Sequence, residues 1–429
     1  MIQEIRIKNY LSFRDEVVLS FEATKDTTFE ECQVVNVTPK VRLLRFALIY
    51  GANASGKSNL LKAMDFLRDF WFDKKSDIDE ETGVVPFLLD TETPNEPSEF
   101  NIKFFVGDKR YWYALVLDDK QVIKEDLYVY NSVQPSLVFS RELDGTASLI
   151  KLNANLVKAN ATIVEQLNVK CLSNMSFFAA RNQVNCSLAY IDEVRDWMKN
   201  NMMPIIEPGT RMFEYAGKQM EKNAELKAYI LDFVHKADYN ITDVYTEREK
   251  VPIPDFVKTS IMEDKDIPEK TKEKVLADNA LERLRTDFQH TVKNKRGEEN
   301  YRLSNSLQSE GTKRTFGIEA AIYEAIKTNG ILPIDEIESS LHPELVEFII
   351  EKFLKEKSRS QLIVTSHYDP LLNTVDDLIR KDSVWFTEKE KDGHTTLYSL
   401  TDFKGLSKIS SFQKSYRNGV FGALPNIYD

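Results

Sequence analysis

The sequence predicts a mixed α/β protein in which two stretches of strands and helices flank a charged, helix-rich insertion. Three observations support this fold class. Short and alternating apolar runs, typical of strands, fill the first 50 residues and return from about Ser98 to Leu149. Charged segments with helical character occupy roughly residues 150 to 290. Strand and helix patterns alternate again from residue 300 onward, so the α/β part is split along the chain.

Composition fits a globular protein and excludes several other classes. The chain has 429 residues, 42% hydrophobic and 29% charged, which is enough for two or three cores. The net charge of -11 argues against wholesale coating of DNA. Cys32, Cys171 and Cys186 form no C-x-x-C pair, which argues against a disulfide scaffold or structural zinc. With no signal region and no run of about 18 apolar residues, we expect a cytoplasmic protein without membrane contact.

The N-terminal half of the α/β domain is expected over residues 1–150. Its run LLRFALIY reads as a strand that leads into a glycine-containing loop. The segment after that loop places apolar residues on one face of a helix: Leu60, Leu61, Met64, Leu67 and Trp71. The runs EFNIKFFV, RYWYALVL and EDLYVY then predict a small antiparallel β lobe.

A helical insertion is expected over residues 151–290, where MEKNAELKAYILDFVHKAD and KVLADNALERLRTDF combine charge with helical spacing. The C-terminal half of the domain, 291–429, should contain a helix after Gly311, a short apolar run ILPID, a helix HPELVEFIIEKFLKE, a strand QLIVTSH and a hairpin near residues 391–393. Pro333 lacks the N–H group that a central strand would need, so we expect a local irregularity there.

A phosphate-binding loop is predicted from Gly51 to Ser58, which matches G-x-x-x-x-G-K-S/T between a strand and a helix. Glycines allow backbone N–H groups to wrap phosphates, and the helix N-terminus adds a favourable dipole. Lys57 would place a positive charge near the β and γ phosphates, and Ser58 would ligate Mg²⁺. The residues expected to contact the nucleotide here are Gly51, Asn53, Ala54, Ser55, Gly56, Lys57, Ser58 and Asn59.

The short apolar strand predicted over residues 331–336 ends in two carboxylates, Asp335 and Glu336. In this arrangement Asp335 reaches Mg²⁺, and Glu336 orients or deprotonates the attacking water. His367 is the last residue of the later predicted strand, QLIVTSH. Alone it would be an ordinary strand-end histidine, but its place in the series favours a catalytic role.

The N-terminus of a predicted helix contains Ser309, Glu310 and Gly311. A serine hydroxyl and free backbone N–H groups at such a position can bind an anion. The alternative is an ordinary N-cap.

The order of these motifs resembles the ATP-binding-cassette (ABC) ATPases of the SMC, RecF and OLD group, with Walker A, signature, Walker B, D-loop and histidine switch in sequence. The resemblance implies an ABC-type ATPase domain with a P-loop core and an antiparallel β lobe. It also implies that His367 contacts the γ-phosphate, that residues 339–343 form the D-loop, and that residues 309–311 cap the γ-phosphate bound by a second subunit. The Q-loop glutamine is a departure, because no glutamine lies between Gln33 and Gln121.

Nearly the whole chain resembles the RloA/AbiL-type AAA ATPases of prokaryotic anti-phage systems, which are related to the ATPases of the PARIS and Septu systems. The stretches that carry this resemblance are 47–59, 335–343 and the tail 415–425. It implies ATP and Mg²⁺ as cofactors, and a homodimer or higher oligomer closed over ATP. It also implies a separate effector, a nuclease or toxin encoded nearby. The residues after His367 leave no room for a Toprim domain, so we expect no nuclease in this chain.

The function expected from the sequence is an ABC-type ATPase that hydrolyses Mg-ATP and acts as a sensor or scaffold for that effector, with DNA or a phage protein as the trigger. One alternative is a RecF/SMC-like repair ATPase that binds duplex DNA. Residues 293–296, in a predicted hairpin, could then contact phosphates, although they also fit a solvated turn. Another alternative, an assembly protein that does not hydrolyse ATP, is disfavoured by the pair Asp335 and Glu336.

Overall fold

The computed structural model describes residues 1–145, 147–237, 240–264, 269, 272 and 280–425. The chain divides into two compact units. The first contains residues 1–208, 324–339 and 346–429, and the second contains 209–323 and 340–345. None of the described helices combines the length and apolar character needed to cross a bilayer.

The first unit contains most of the strands. They are β1 Ile2–Lys8, β2 Val17–Ser20, β3 Val34–Thr38, β4 Val41–Leu44, β5 Phe46–Tyr50, β6 Ser98–Val106, β7 Lys109–Leu117, β8 Val122–Tyr130, β9 Ser136–Asp144 and β10 Ala147–Leu152. Its helices up to residue 208 are α1 Glu30–Gln33, α2 Lys57–Phe70, α3 Ala161–Lys170, α4 Phe177–Arg181 and α5 Ile191–Asn201.

The predicted antiparallel lobe is confirmed as a seven-stranded sheet in the order β10-β9-β8-β7-β6-β1-β2. Its strands alternate buried and partly exposed residues, as a sheet with one covered face requires. The buried face packs against α3 to α5, and Phe104 of β6 stacks on Trp197 of α5 with ring centroids 4.2 Å apart. This packing places residues 151–208 in the first unit, whereas the expected insertion began at 151.

The second unit combines helices with a three-stranded antiparallel sheet. Its elements are α6 Met212–Lys222, α7 Ala224–Lys236, β11 Ile241–Pro252, α8 Asp255–Glu263, β12 Ala280–Asn294 and β13 Gly297–Ser304. Helix α9 Glu310–Thr328 begins in this unit, and the division between the units falls after Tyr323.

The helix predicted from KVLADNALERLRTDF is wrong for residues 280–288, which lie in β12; residues 274–279 lie outside the described residues. Thr286 and Phe288 are buried at a spacing of two, and Phe288 packs edge-on against Phe316 with centroids 4.9 Å apart. Burial of this alternating face outweighs the helix propensity of the leucine, glutamate and arginine residues. The predicted hairpin at 293–296 is confirmed as the turn between β12 and β13.

The rest of the first unit completes the α/β core. It adds β14 Ile331–Ile334, β15 Gln361–Ser366, β16 Val384–Lys389, β17 Thr395–Ser399 and α11 Phe412–Arg417. It also contains α10 Pro343–Lys355 from Val346 onward. With β5, these strands form a five-stranded sheet in the order β14-β15-β5-β16-β17, parallel except for the hairpin of β16 and β17. Because the carboxyl ends of parallel strands share one edge, the loops after β5, β14 and β15 meet there.

The prediction of a local irregularity at Pro333 is wrong, because β14 pairs with β15 over all four of its residues without a register shift. Strand β14 is the last named strand of this sheet. Among the described residues, its other side meets only isolated bridges from Met202 and Ile206. The carbonyl of Pro333 accepts the Ile206 N–H at 3.0 Å. The missing N–H of Pro333 therefore points away from β15, where the ladder does not need it.

Candidate functional site

The loop between β5 and α2 has the tight path that its glycines permit. Gly56 has φ +102° and precedes α2 as its N-cap residue. A Cβ on Gly51 would lie 2.3 Å from the Ser55 hydroxyl, and one on Gly56 would lie 2.5 Å from that of Thr395. Ala54 adopts a left-handed φ of +61°, although it is not a glycine. The loop is thus enclosed closely enough at both glycines that a larger residue would force it apart.

Helix α2 presents its N-terminus to the loop without a side-chain cap. Its buried face contains Leu60, Leu61, Met64 and Leu67, as the sequence predicts, and this face fixes the helix axis. The first N–H groups of a helix have no partner within it, and the dipole there favours an anion. Ser58 and Asn59 lie half-buried in this first turn, while Asn53 and Ala54 are exposed on the loop.

Lys57 is a buried cation enclosed by polar groups of the loop. Its ammonium group donates to the carbonyls of Gly51 and Ala52 at 2.8 and 3.0 Å and lies 3.3 Å from Nδ1 of His367. Among the described residues it forms no ion pair with a carboxylate. Burial lowers the pKa of Lys57 to about 8, an effect opposed by the negative charges of Asp335, Glu336 and Glu338. A bound anion would compensate this loss of hydration.

The two acids at the end of β14 are held by one threonine of the neighbouring strand β15. The hydroxyl of Thr365 donates to the Asp335 carboxylate at 2.5 Å and accepts the Glu336 N–H at 2.8 Å. Asp335 is buried, and Glu336 is partly exposed with a left-handed φ of +45°. Backbone strain of this kind is characteristic of functional sites. Thr365 was missed by sequence reasoning, although its position two residues before His367 is a usable signal.

His367 follows β15 and lies between the loop and the acids. Its Nε2 is 3.3 Å from a carboxylate oxygen of Glu336, and its backbone N–H donates to Glu338 at 2.5 Å. Together with the contact to Lys57, this places the cation, the acid and the imidazole at one sheet edge.

The hairpin of β16 and β17 encloses the loop from the other side. Ser55 and Thr387 share a hydrogen bond at 2.7 Å, and the Thr395 hydroxyl donates to the Ser55 carbonyl at 2.9 Å. Asn59 donates to the hydroxyl of Ser12 at 2.8 Å. Sequence reasoning placed the hairpin but missed these contacts, because its register against the loop is set only by the tertiary fold.

The proposed signature residues belong to the second unit. The Ser309 hydroxyl accepts the Thr312 N–H at 3.1 Å, which is the N-cap geometry of the alternative interpretation. A Cβ on Gly311 would lie 2.6 Å from the backbone oxygen of Ser340, so this position requires glycine. Glu310 is exposed and pairs with Lys313 at 2.8 Å. Their contact with a nucleotide remains a prediction.

Two further sequence assignments can be located. In the segment expected to form a D-loop, Ser340 has φ +61° and His342 is exposed. Gln121 lies in the turn between β7 and β8, where its N–H donates to the Asp118 carboxylate at 2.8 Å.

These groups fit Mg-ATP by their chemistry. The uncapped helix, the glycine-lined loop and the buried ammonium group of Lys57 suit a polyphosphate. Ser58 and Asp335 would supply two oxygen ligands for Mg²⁺, an ion that takes few ligands from protein and completes its shell with phosphates and water.

A model of the family described as "AAA domain, putative AbiEii toxin, Type IV TA system" matches residues 46–153 and 215–373, more than half of the chain. Curated proteins gave no match. Among solved structures, the SMC head domain from Thermotoga maritima is 13% identical, with 93% of this chain and 98% of that chain covered and a TM-score of 0.43.

A second structure, the SmcHead bound to the C-winged helix domain of ScpA, is 14% identical, with 97% and 99% covered and a TM-score of 0.44. Both TM-scores lie below the level that defines a shared fold. The family match is the finding that decides: this chain belongs to the AAA-domain family described for the putative AbiEii toxin of type IV toxin–antitoxin systems, and it is an ATPase of that class.

Proposed function

We propose that the protein hydrolyses Mg-ATP at the edge of the five-stranded sheet. The observation that carries this proposal is the position of His367, which lies within hydrogen-bonding distance of Lys57 through Nδ1 and of Glu336 through Nε2. A cation for the phosphates, an acid for the water and a donor for the γ-phosphate are the parts that phosphoryl transfer requires.

Each residue has a separate role in this proposal. The N–H groups of residues 53–59 and the ammonium group of Lys57 hold the phosphates. Glu336 orients the attacking water and accepts its proton, and His367 contacts the γ-phosphate. Ser58 and Asp335 hold Mg²⁺, which neutralises developing charge on the phosphate oxygens. Thr365 keeps both acids in register with the loop.

The exposed Ser309 and Glu310, followed by the half-buried Gly311, support a second part of the proposal, a dimer closed over ATP. In it, the helix N-terminus of one copy caps the γ-phosphate bound by the other. We place this ATPase in the cytoplasm, as the sensor or scaffold of an anti-phage system whose effector is a separate nuclease or toxin. The family description names a type IV toxin–antitoxin system, which supports a role in a system of more than one protein.

A second candidate function, a repair ATPase that binds duplex DNA, is supported by the hairpin of β12 and β13. Its tip exposes Lys293, Lys295 and Arg296, although the acidic Glu298 lies two residues further on. Such a tip could contribute phosphate contacts but no base recognition.

Affinity purification separates these functions. The Glu336→Gln protein, prepared with ATP from its native operon, should retain the closed state, and its mass in solution should be that of a dimer. A stoichiometric nuclease or toxin bound to it supports the defence role. Duplex DNA without a protein partner contradicts that role and favours repair. A monomer in saturating ATP contradicts the closed dimer.

A further inference from the structure

The C-terminal segment 411–425, called the hook below, forms one wall of the nucleotide site. A cavity of about 710 Å³ is lined on one side by Gly51, Ala52, Asn53, Ser55 and His367. Ala423, Leu424 and Pro425 of the hook line the same cavity. The tail, one of the three stretches that carry the family resemblance, therefore lies beside the phosphate loop, more than 350 residues after it in the chain.

An aromatic stack joins the hook to the strand that enters the loop. Phe386 of β16 stacks on Tyr416 and Phe421 of the hook, with centroids 5.8 and 5.7 Å apart and planes inclined by 21° in both pairs. Phe386 also stacks on Tyr50, the residue directly before Gly51. The hydroxyl of Tyr50 donates to the carbonyl of Tyr368 at 3.2 Å. The packing of these rings fixes the position of the hook relative to the phosphate loop.

Hydrogen bonds within the hook, and from β17 to the hook, fix the path of its backbone. Tyr416 donates to the carbonyl of Ala423 at 3.0 Å, and Tyr398 of β17 donates to the carbonyl of Phe421 at 2.8 Å. Gly422 has φ +63°, and a Cβ there would lie 2.7 Å from the Glu388 carboxylate. A side chain at this position would be strained by the left-handed φ and would have to displace the Glu388 carboxylate.

One ion pair connects the hook to the histidine loop. Arg417 donates through Nε and Nη2 to the two oxygens of Asp369, at 2.5 and 2.9 Å. Gln413 donates to the same carboxylate at 3.1 Å. Asp369 lies two residues after His367, so a short and stiff connection links the guanidinium group to the backbone that carries the imidazole. Bidentate pairs of this kind restrict orientation as well as distance.

We propose that the hook is a positioning element for hydrolysis, in which Arg417 acts through Asp369 to hold His367 in the place where it meets the γ-phosphate. This inference rests on the proposed function, since it assigns a source of precision to the same site. Arg417 does not touch the reacting atoms. Its side chain is 61% exposed, so the pair adds little to the stability of the fold, and its value is geometric.

The test compares ATP turnover in four proteins: wild type, Arg417→Ala, Arg417→Lys and the control Arg359→Ala. Arg359, whose side chain is 41% exposed, is also paired with an aspartate, Asp108, but it does not line the cavity. We expect Arg417→Ala to lower kcat about tenfold with KM within threefold, because loss of orientation affects the transition state more than binding. Arg417→Lys should recover part of the loss. The control should turn over like wild type, and thermal denaturation should show unchanged midpoints.

The decisive comparison uses the His367→Ala background. If Arg417 acts through His367, then adding Arg417→Ala to His367→Ala lowers kcat no further. The inference is overturned if the two substitutions together lower kcat by the product of their separate effects. It is also overturned if the kcat of Arg417→Ala is within twofold of wild type. If Arg417→Ala unfolds, Asp369→Asn breaks the same pair and decides by the same criteria. Failure of the proposed function is distinguishable, because wild type itself would then release no phosphate.

Discussion

The buried ammonium group of Lys57 makes nucleotide binding depend on pH. Burial lowers its pKa to about 8 in the free protein, from an ordinary value of 10.5. A phosphate beside it favours the charged form and raises the pKa again. ATP binding therefore takes up protons, and the affinity should fall as the pH rises through 8.

The magnitude follows from the protonated fraction of Lys57 in the free protein. With a pKa of about 8, that fraction falls about tenfold from pH 7 to pH 9. The affinity for Mg-ATP should fall by the same factor, which corresponds to about 1.4 kcal/mol. At pH 8 about half a proton should be taken up for each nucleotide bound.

Isothermal titration calorimetry measures both quantities, with the Glu336→Gln protein used to prevent hydrolysis. Repeating the pH 8 titration in two buffers of different ionisation enthalpy gives the proton uptake. Lys57→Arg is the matched control, because a guanidinium group stays charged over this range and reports any pH dependence of the nucleotide itself. The reasoning is refuted if wild-type affinity is as flat as that of Lys57→Arg, or if no proton is taken up.

Two further predictions concern buried polar groups. Thr365→Val removes the hydroxyl that forms hydrogen bonds with Asp335 and Glu336, and should destabilise the first unit by about 3 kcal/mol. Thr365→Ser keeps the hydroxyl and should destabilise it by less than about 1 kcal/mol. Equal midpoints of urea denaturation for the two variants would contradict this role. Arg141→Met leaves the fully buried Glu125 without its cation and should destabilise the first unit by about 3–5 kcal/mol in the same urea assay. Adding Glu125→Leu to Arg141→Met should restore part of this stability. A loss below about 1 kcal/mol in Arg141→Met would refute the prediction.

The local parts of the site could be predicted from the sequence. The phosphate loop, α2 and the acids that follow β14 are each specified by adjacent residues, and the structure has them where the spacing indicates. The meeting of these segments at one sheet edge follows from parallel pairing, which the split α/β pattern already implies.

The remaining features depend on tertiary packing. Strand β12 has the composition of a helix, and only the burial of Phe288 against Phe316 decides for a strand. Pro333 indicated a disrupted central strand because the sequence does not tell which side of β14 is paired. Thr387 contacts Ser55 from a strand whose register no local pattern specifies. The tail was visible as a motif, but its place beside His367 was not.

Steady-state phosphate release by wild type and Glu336→Gln, measured alongside ATP binding, tests the central claim most directly. The account predicts multiple turnovers by wild type, and a loss of about 100-fold or more in Glu336→Gln with ATP affinity within threefold, because the acid acts on the water and not on binding. Turnover of Glu336→Gln within tenfold of wild type would contradict the role of the acid. A wild type that binds ATP but releases no phosphate would contradict the account as a whole.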